Sequence, residues 1–279
     1  MRVAPYWVRE MHSIGGVEYR LRAYSFRSMA EARERMELKV RALGRFRSAA
    51  TAENVEALRA EMRRIDEQPA AGEYDVVALE PILSRMDEHN IITRNHYGAE
   101  VLNSDDTCFL DVDAFGPGFA ERVLGLFFRR RSDEERLLHA VQRLCADSPG
   151  TAVRVYRTAR GWRLIVAAAG LAPDSPLMRE LSARLHVDPM YAGLCRRQRC
   201  WRARLTPKPV RLGMPGFPRA GDSESAAAAV ADWVELYAEK CRGVATCRLL
   251  DTFGSRLDSP AITLHDSTTR ALIPDLPLK

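Results

Sequence analysis

Asp111 and Asp113 stand two residues apart in Cys108-Phe109-Leu110-Asp111-Val112-Asp113, a run that is otherwise apolar. Side chains of a strand alternate between faces, so both carboxylates project to the same side, roughly 6–7 Å apart along the chain. Such a pair converges on one cation or on an ion pair. Hard divalent cations such as Mg²⁺ take carboxylate oxygens, and two of them can stabilise both the attacking and the leaving oxygen of a phosphoryl transfer. The competing reading is a strand end carrying two solvated acids.

A second constellation is Tyr156-Arg157-Thr158-Ala159-Arg160-Gly161-Trp162-Arg163, where a glycine turn is flanked by the Thr158 hydroxyl and the guanidinium groups of Arg160 and Arg163. Arginine forks match phosphate oxygens bidentately, and a glycine lets backbone approach a bound nucleotide closely. An ordinary hairpin with exposed arginines is the alternative. The third constellation begins at Asp188 and Tyr191 and continues through Arg196, Arg197, Arg199, Arg202, Arg204, Lys208 and Arg211. Seven basic residues and no acid fall between 191 and 211, with Tyr191 and Trp201 interleaved. That composition suits a surface that tracks a phosphate backbone and stacks bases.

The elements that must position these residues follow from pattern. Residues 5–26 alternate around Gly15-Gly16 and predict a β-hairpin. Ser28, with Glu31 three residues on, starts a helix to about Arg47, and 51–68 predicts a second amphipathic helix. After a break at Pro69–Gly72, a short helix is expected over 76–88, then extended chain at Ile91-Ile92-Thr93. Residues 97–102 and 107–112 are separated by the turn-forming 103–106, which predicts two neighbouring antiparallel strands. Gly116-Pro117-Gly118 hands over to a helix through Phe128; after Arg129-Arg130-Arg131, Ser132 and Glu135 form a capping-box signature for a further helix. Strands are expected at 151–158 and 162–169, helices at 175–185 and 223–241, a late strand at 262–265, and a tail from Pro274 that frays or docks. The order from about 91 is β-β-α-β-β-α, an α+β arrangement with a mixed or antiparallel sheet and flanking helices. Residues 213–222 are a Gly/Pro-rich linker.

Composition narrows the functional classes. The 279 residues are 46% hydrophobic and 28% charged, with a mean hydropathy of −0.27, which is ordinary for a folding domain. No stretch nears the length of apolar residues that a membrane span requires, and the N-terminus lacks an apolar signal core, so the expected address is the cytoplasm. The net charge of +5 is modest and gains meaning from its clustering at 191–211. Cys195/Cys200 and Cys241/Cys247 lack the short zinc knuckle, and free thiols are expected at all six cysteines. His139 and His186 read as structural; of the scattered His89, His96 and His265, only His96 is placed to line the cleft of Asp111. No phosphate-binding P-loop, dinucleotide fingerprint, zinc-protease helix or nucleophile elbow is present.

In order, Phe109-Leu110-Asp111-Val112-Asp113, then Thr158 to Arg163, then Val187-Asp188-Pro189-Met190-Tyr191, then Trp201-Arg202-Ala203-Arg204-Leu205-Thr206-Pro207-Lys208 resemble the catalytic core of archaeo-eukaryotic-type primases and primase-polymerases. The likeness covers roughly residues 90–211. It implies an RRM-like core at 90–212, flanked by an N-terminal hairpin-and-helix unit (1–89) and a C-terminal helical segment (213–279). It further implies that Asp111, Asp113 and Asp188 are catalytic and bind Mg²⁺ or Mn²⁺, while Thr158, Arg160, Arg163, Arg202, Arg204 and Lys208 hold nucleotide phosphates. The chain departs from the family at its motif histidine, where Arg163 stands.

Three functions follow as expectations. The leading one is a metal-dependent nucleotidyltransferase acting on nucleotides and a single-stranded or primed template, in DNA replication or repair. The second is a non-catalytic nucleotide- or nucleic-acid-binding protein on the same fold, salt-sensitive and indifferent to metal. The third is a structural or regulatory partner that docks on a larger assembly through residues 1–68.

Overall fold

The computed structural model describes residues 1–48, 54–68, 76–113, 115, 132–218 and 224–279. The expected break at Pro69–Gly72, the Gly116-Pro117-Gly118 turn, the helix to Phe128, the run Arg129–Arg131 and the end of the linker lie outside the described residues. The fold is α+β with antiparallel sheets, as the pattern predicts. It divides into a unit of residues Arg2–Pro81 and a unit of Ile82–Lys279 with Met1. Among the described residues no helix is long and apolar enough to cross a membrane.

In the first unit, strands β1 (Tyr6–Ile14) and β2 (Val17–Ser25) form the expected hairpin. Gly15 and Gly16 carry φ of 58° and 78°, the consecutive left-handed pair that a two-residue turn matching strand twist demands. Helix α1 (Met29–Ser48) starts where Ser28 Oγ accepts from the Glu31 N–H at 3.1 Å, an N-cap. It buries Ala32, Met36 and Ala42 together with Arg35 and Lys39, whose charges are met by Glu31 and Glu67 and by Asp66. Helix α2 (Asn54–Ile65) follows.

The second unit holds two four-stranded antiparallel sheets. One has the order β3 (Ile82–Arg85), β4 (Asn90–Arg94), β5 (Glu100–Ser104), β9 (Trp201–Arg204). The other runs β10 (Cys247–Phe253), β7 (Ala152–Thr158), β8 (Trp162–Ala167), β6 (Cys108–Val112). Among the described residues the unit also holds helices α3 (Asp133–Asp147), α4 (Pro176–Arg184), α5 (Pro189–Gln198), α6 (Glu224–Cys241) and α7 (Pro260–Thr269), with a 3-10 turn at Pro209–Leu212. The capping box of α3 is present in full: Ser132 Oγ accepts from the Glu135 N–H, and Glu135 accepts from the Ser132 N–H at 2.7 Å.

Three expectations are corrected. The helix expected over 76–88 is absent, and residues 82–85 form β3 instead. Asp87 ties the β3–β4 turn through the His89 N–H and the Asn90 amide, and pairing with β4 outweighs a weak helical pattern. Strands β5 and β6 are not partners: the 103–106 turn carries the chain from one sheet into the other. Both edges of β5 are taken by β4 and the distant β9, and a local turn signal cannot reveal a competitor 100 residues away. The strand expected at 262–265 is part of α7, opened by Ser259 as N-cap and Pro260 at the first turn, a start signal that outweighs the β-branched residues that follow. Strand β10 has no counterpart in the sequence reading. The tail docks, with the Ala245 N–H bonding Pro277 O and the Lys279 N–H bonding Ala245 O.

One core lies beneath the β10-β7-β8-β6 sheet, with Phe109, Leu110, Leu164 and Ile165 almost fully enclosed and Leu137 of α3, Leu181 of α4 and Ile262 of α7 packed in. The two sheets meet along β6 and β9. The Tyr191 hydroxyl of α5 donates to Phe109 O at 2.6 Å on one side and lies 3.1 Å from Arg202 O on the other.

Candidate functional site

Strand β6 is enclosed along its length except at Asp111, because both faces of the strand meet apolar layers and the carboxylate alone needs a polar partner. That partner is Arg163, directly opposite in the β6–β8 ladder. Its Nε–H donates to Asp111 Oδ1 at 3.0 Å, and its Nη1 donates to Arg204 O on β9 at 2.8 Å. Arg163 is 1% exposed. The residue expected to reach a bound phosphate is instead an internal counter-ion that joins the two sheets.

Gly161 explains how the turn sits. A methyl group there would lie 2.2 Å from Val112 O and 2.9 Å from Asp113 Cα, so the glycine admits this chain's own β6 backbone. The Thr158 hydroxyl accepts from the Gly161 N–H at 3.1 Å, closing the turn. Arg160 at the tip is exposed, as is Asp113 just past the end of β6.

Asp188 lies beside Asp111: its backbone N–H bonds Asp111 O at 3.0 Å. Its carboxylate caps α5, accepting from the Met190 N–H at 2.8 Å. The order of motifs therefore does bring Asp188 next to the Asp111 strand. Asp111 and Asp188 nevertheless each have an oxygen engaged, and among the described residues no group of three or more His, Cys, Asp or Glu is gathered to hold a metal.

Cations assemble more clearly. Burial, then the charges of Arg204 and Arg160, lower the pKa of Arg211, while Tyr97 and Asp113 act in the opposite direction. Arg160, Arg204 and Asp113 thus all lie within electrostatic range of Arg211. Among the described residues none of the three guanidinium groups has a hydrogen bond or ion pair, and Arg204 Nε is buried without a partner. A buried donor left unsatisfied costs about 1–3 kcal/mol. Lys208 is exposed nearby in sequence, and Arg202 donates to Gln198 Oε1 at 3.3 Å. The Thr206-Pro207 segment is held from α6 by the Tyr237 hydroxyl, which bonds Thr206 Oγ1 and Pro207 O.

The cysteines are unbridged. Burial pushes the Cys195 thiol up to about 12 and Cys247 to about 11, so neither is a thiolate at neutral pH. His96 rests edge-on against Tyr97 at 4.8 Å. The histidine that lies against Arg163 is His265, one of the scattered histidines, and not His96. Only its position directly before Asp266, in a helix opened by Ser259-Pro260, was available as a signal.

Comparison with protein-family models, with curated proteins and with solved structures finds no match.

Proposed function

We propose that the second unit binds the phosphates of a nucleotide or of a single-stranded nucleic acid at Arg160, Arg204 and Arg211, with Lys208 and Arg202 flanking the approach. The observation that carries this reading is three unpaired guanidinium groups, Arg160 and Arg204 both within electrostatic range of Arg211, one of them with a buried, unsatisfied Nε–H. Arginine is suited to the task because its planar fork stays charged and grips two phosphate oxygens at once. The motif resemblance to primase-polymerases supports a nucleotide over other polyanions.

A second reading, metal-dependent nucleotidyl transfer at Asp111, Asp113 and Asp188 with Mg²⁺ or Mn²⁺, is supported by the hydrogen bond from the Asp188 N–H to Asp111 O, which joins the main chain of Asp188 to that of Asp111.

The test is anisotropy of labelled single-stranded oligonucleotides and of a labelled nucleoside triphosphate, in EDTA and in Mg²⁺ or Mn²⁺, beside incorporation assays on primed templates. Binding that persists in EDTA and drops in Arg204→Ala and Arg211→Ala supports the first reading. Metal-dependent incorporation lost in Asp113→Ala supports the second. Absence of binding under every condition removes both.

A further inference from the structure

A polar relay runs inward from Asp111 and ends on α7. Arg163 has donors only, so His265 Nε2, 3.4 Å from Arg163 Nη1 and 3.8 Å from the Cys247 sulfur, is the lone-pair end of the ring. The proton then resides on Nδ1, which donates to Asp266 Oδ1 at 2.9 Å. Asp266 is itself fixed by the Tyr156 hydroxyl, donating at 2.8 Å, and by Arg154 Nη2. The ring is clamped between Phe109 and Tyr156, with centroids 5.6 and 4.9 Å away, and His265 is fully enclosed.

We propose that His265 and Asp266 are positioning residues for the phosphate site, an inference that rests on the phosphate-binding reading. They hold a neutral imidazole in one tautomer, the imidazole holds the Arg163 guanidinium, and that guanidinium fixes two things at once. One is the Oδ1 atom of Asp111. The other is the carbonyl of Arg204, and with it the main chain from which the Arg204 side chain leaves. Neither His265 nor Asp266 touches the ligand.

The test pairs two substitutions with nuclear magnetic resonance of the full chain. His265→Asn keeps a donor near Nδ1 but does not reach Arg163; His265→Gln places a carbonyl acceptor near the position of Nε2. In the wild type the His265 nitrogens should report a neutral ring protonated at Nδ1 at pH 7. His265→Asn should shift the Arg163 Nε–H resonance and weaken oligonucleotide binding about tenfold, the scale of one lost hydrogen bond. His265→Gln should preserve both. A cationic ring, a proton on Nε2, an Arg163 resonance unchanged in His265→Asn, or equal binding by the two variants overturns the proposal. If His265→Asn does not fold, the wild-type tautomer still decides. If the wild-type chain binds no oligonucleotide, the phosphate-binding reading fails, while the tautomer and the Arg163 resonance continue to judge the relay.

Discussion

Arg163 donates its Nε–H to Asp111 Oδ1 at 3.0 Å across the β6–β8 ladder, with the arginine side chain 1% and the aspartate side chain 33% exposed. Removing one partner of a buried pair leaves an uncompensated charge, typically costing about 3–5 kcal/mol. Partial exposure of Asp111 lets water relieve some of that cost. Asp111→Ala should therefore lower stability by about 2–3 kcal/mol in urea denaturation. Asp111→Ala/Arg163→Met should lose less than the sum of the single changes, because the double variant leaves no unpaired charge. Any activity lost in Asp111→Ala must be judged against that loss of stability.

Gly161 is set by steric contact. With Val112 O only 2.2 Å from the site of an added methyl, Gly161→Ala must push the β7–β8 turn away from Asp113 or distort β6. Overpacking of this kind costs about 1–3 kcal/mol. Thermal melting should show the drop, and phosphate affinity should fall with it because Arg160 moves with the turn.

Oligonucleotide binding should weaken steeply with salt. Each phosphate contact to a single strand contributes about −0.7 to the slope of log affinity against log salt. Arg160→Ala, Arg204→Ala and Arg211→Ala should each flatten the slope by about that amount. Anisotropy titrations at several salt concentrations check this, with an exposed arginine of the other unit, Arg41, as a control whose loss leaves the slope unchanged.

Stability should depend on pH through His265. Burial lowers its pKa to about 4, with Arg163 adding to the effect and the Asp266 hydrogen bond opposing it. The unfolded chain binds this proton below about pH 6.5, whereas the folded chain resists it to about pH 4. Between those values the unfolded state carries more protons, so stability is full above pH 6.5 and declines as pH falls toward 4. Denaturant midpoints measured from pH 7 to 4 should decline less steeply in His265→Gln than in the wild type.

Much of the local architecture was legible because its causes are local. The hairpin at Gly15-Gly16, the Ser28 cap, the Ser132–Glu135 capping box and the turn between β7 and β8 each depend on residues within four positions of one another. Two of the misreadings have the opposite cause, whereas the third, at 262–265, overlooks the local start signal of Ser259 and Pro260. Assigning β5 and β6 to one hairpin ignored β9, and reading residues 82–85 as helix ignored their pairing with β4.

The same division governs the candidate site. Residue types and spacing were sufficient to single out Asp111, Asp113, Asp188 and the arginines, because charge within an apolar strand and an acid-free basic run are properties of the chain itself. Which of those charges are already paired depends on three-dimensional neighbours. Arg163 and Arg204 look alike in sequence. Strand pairing puts the first opposite Asp111, and the approach of α7 seals it beside His265. Arg204, one sheet over, keeps an unpartnered guanidinium within electrostatic range of Arg211. That distinction rests on contacts spanning up to 102 positions of the chain, which no local pattern encodes.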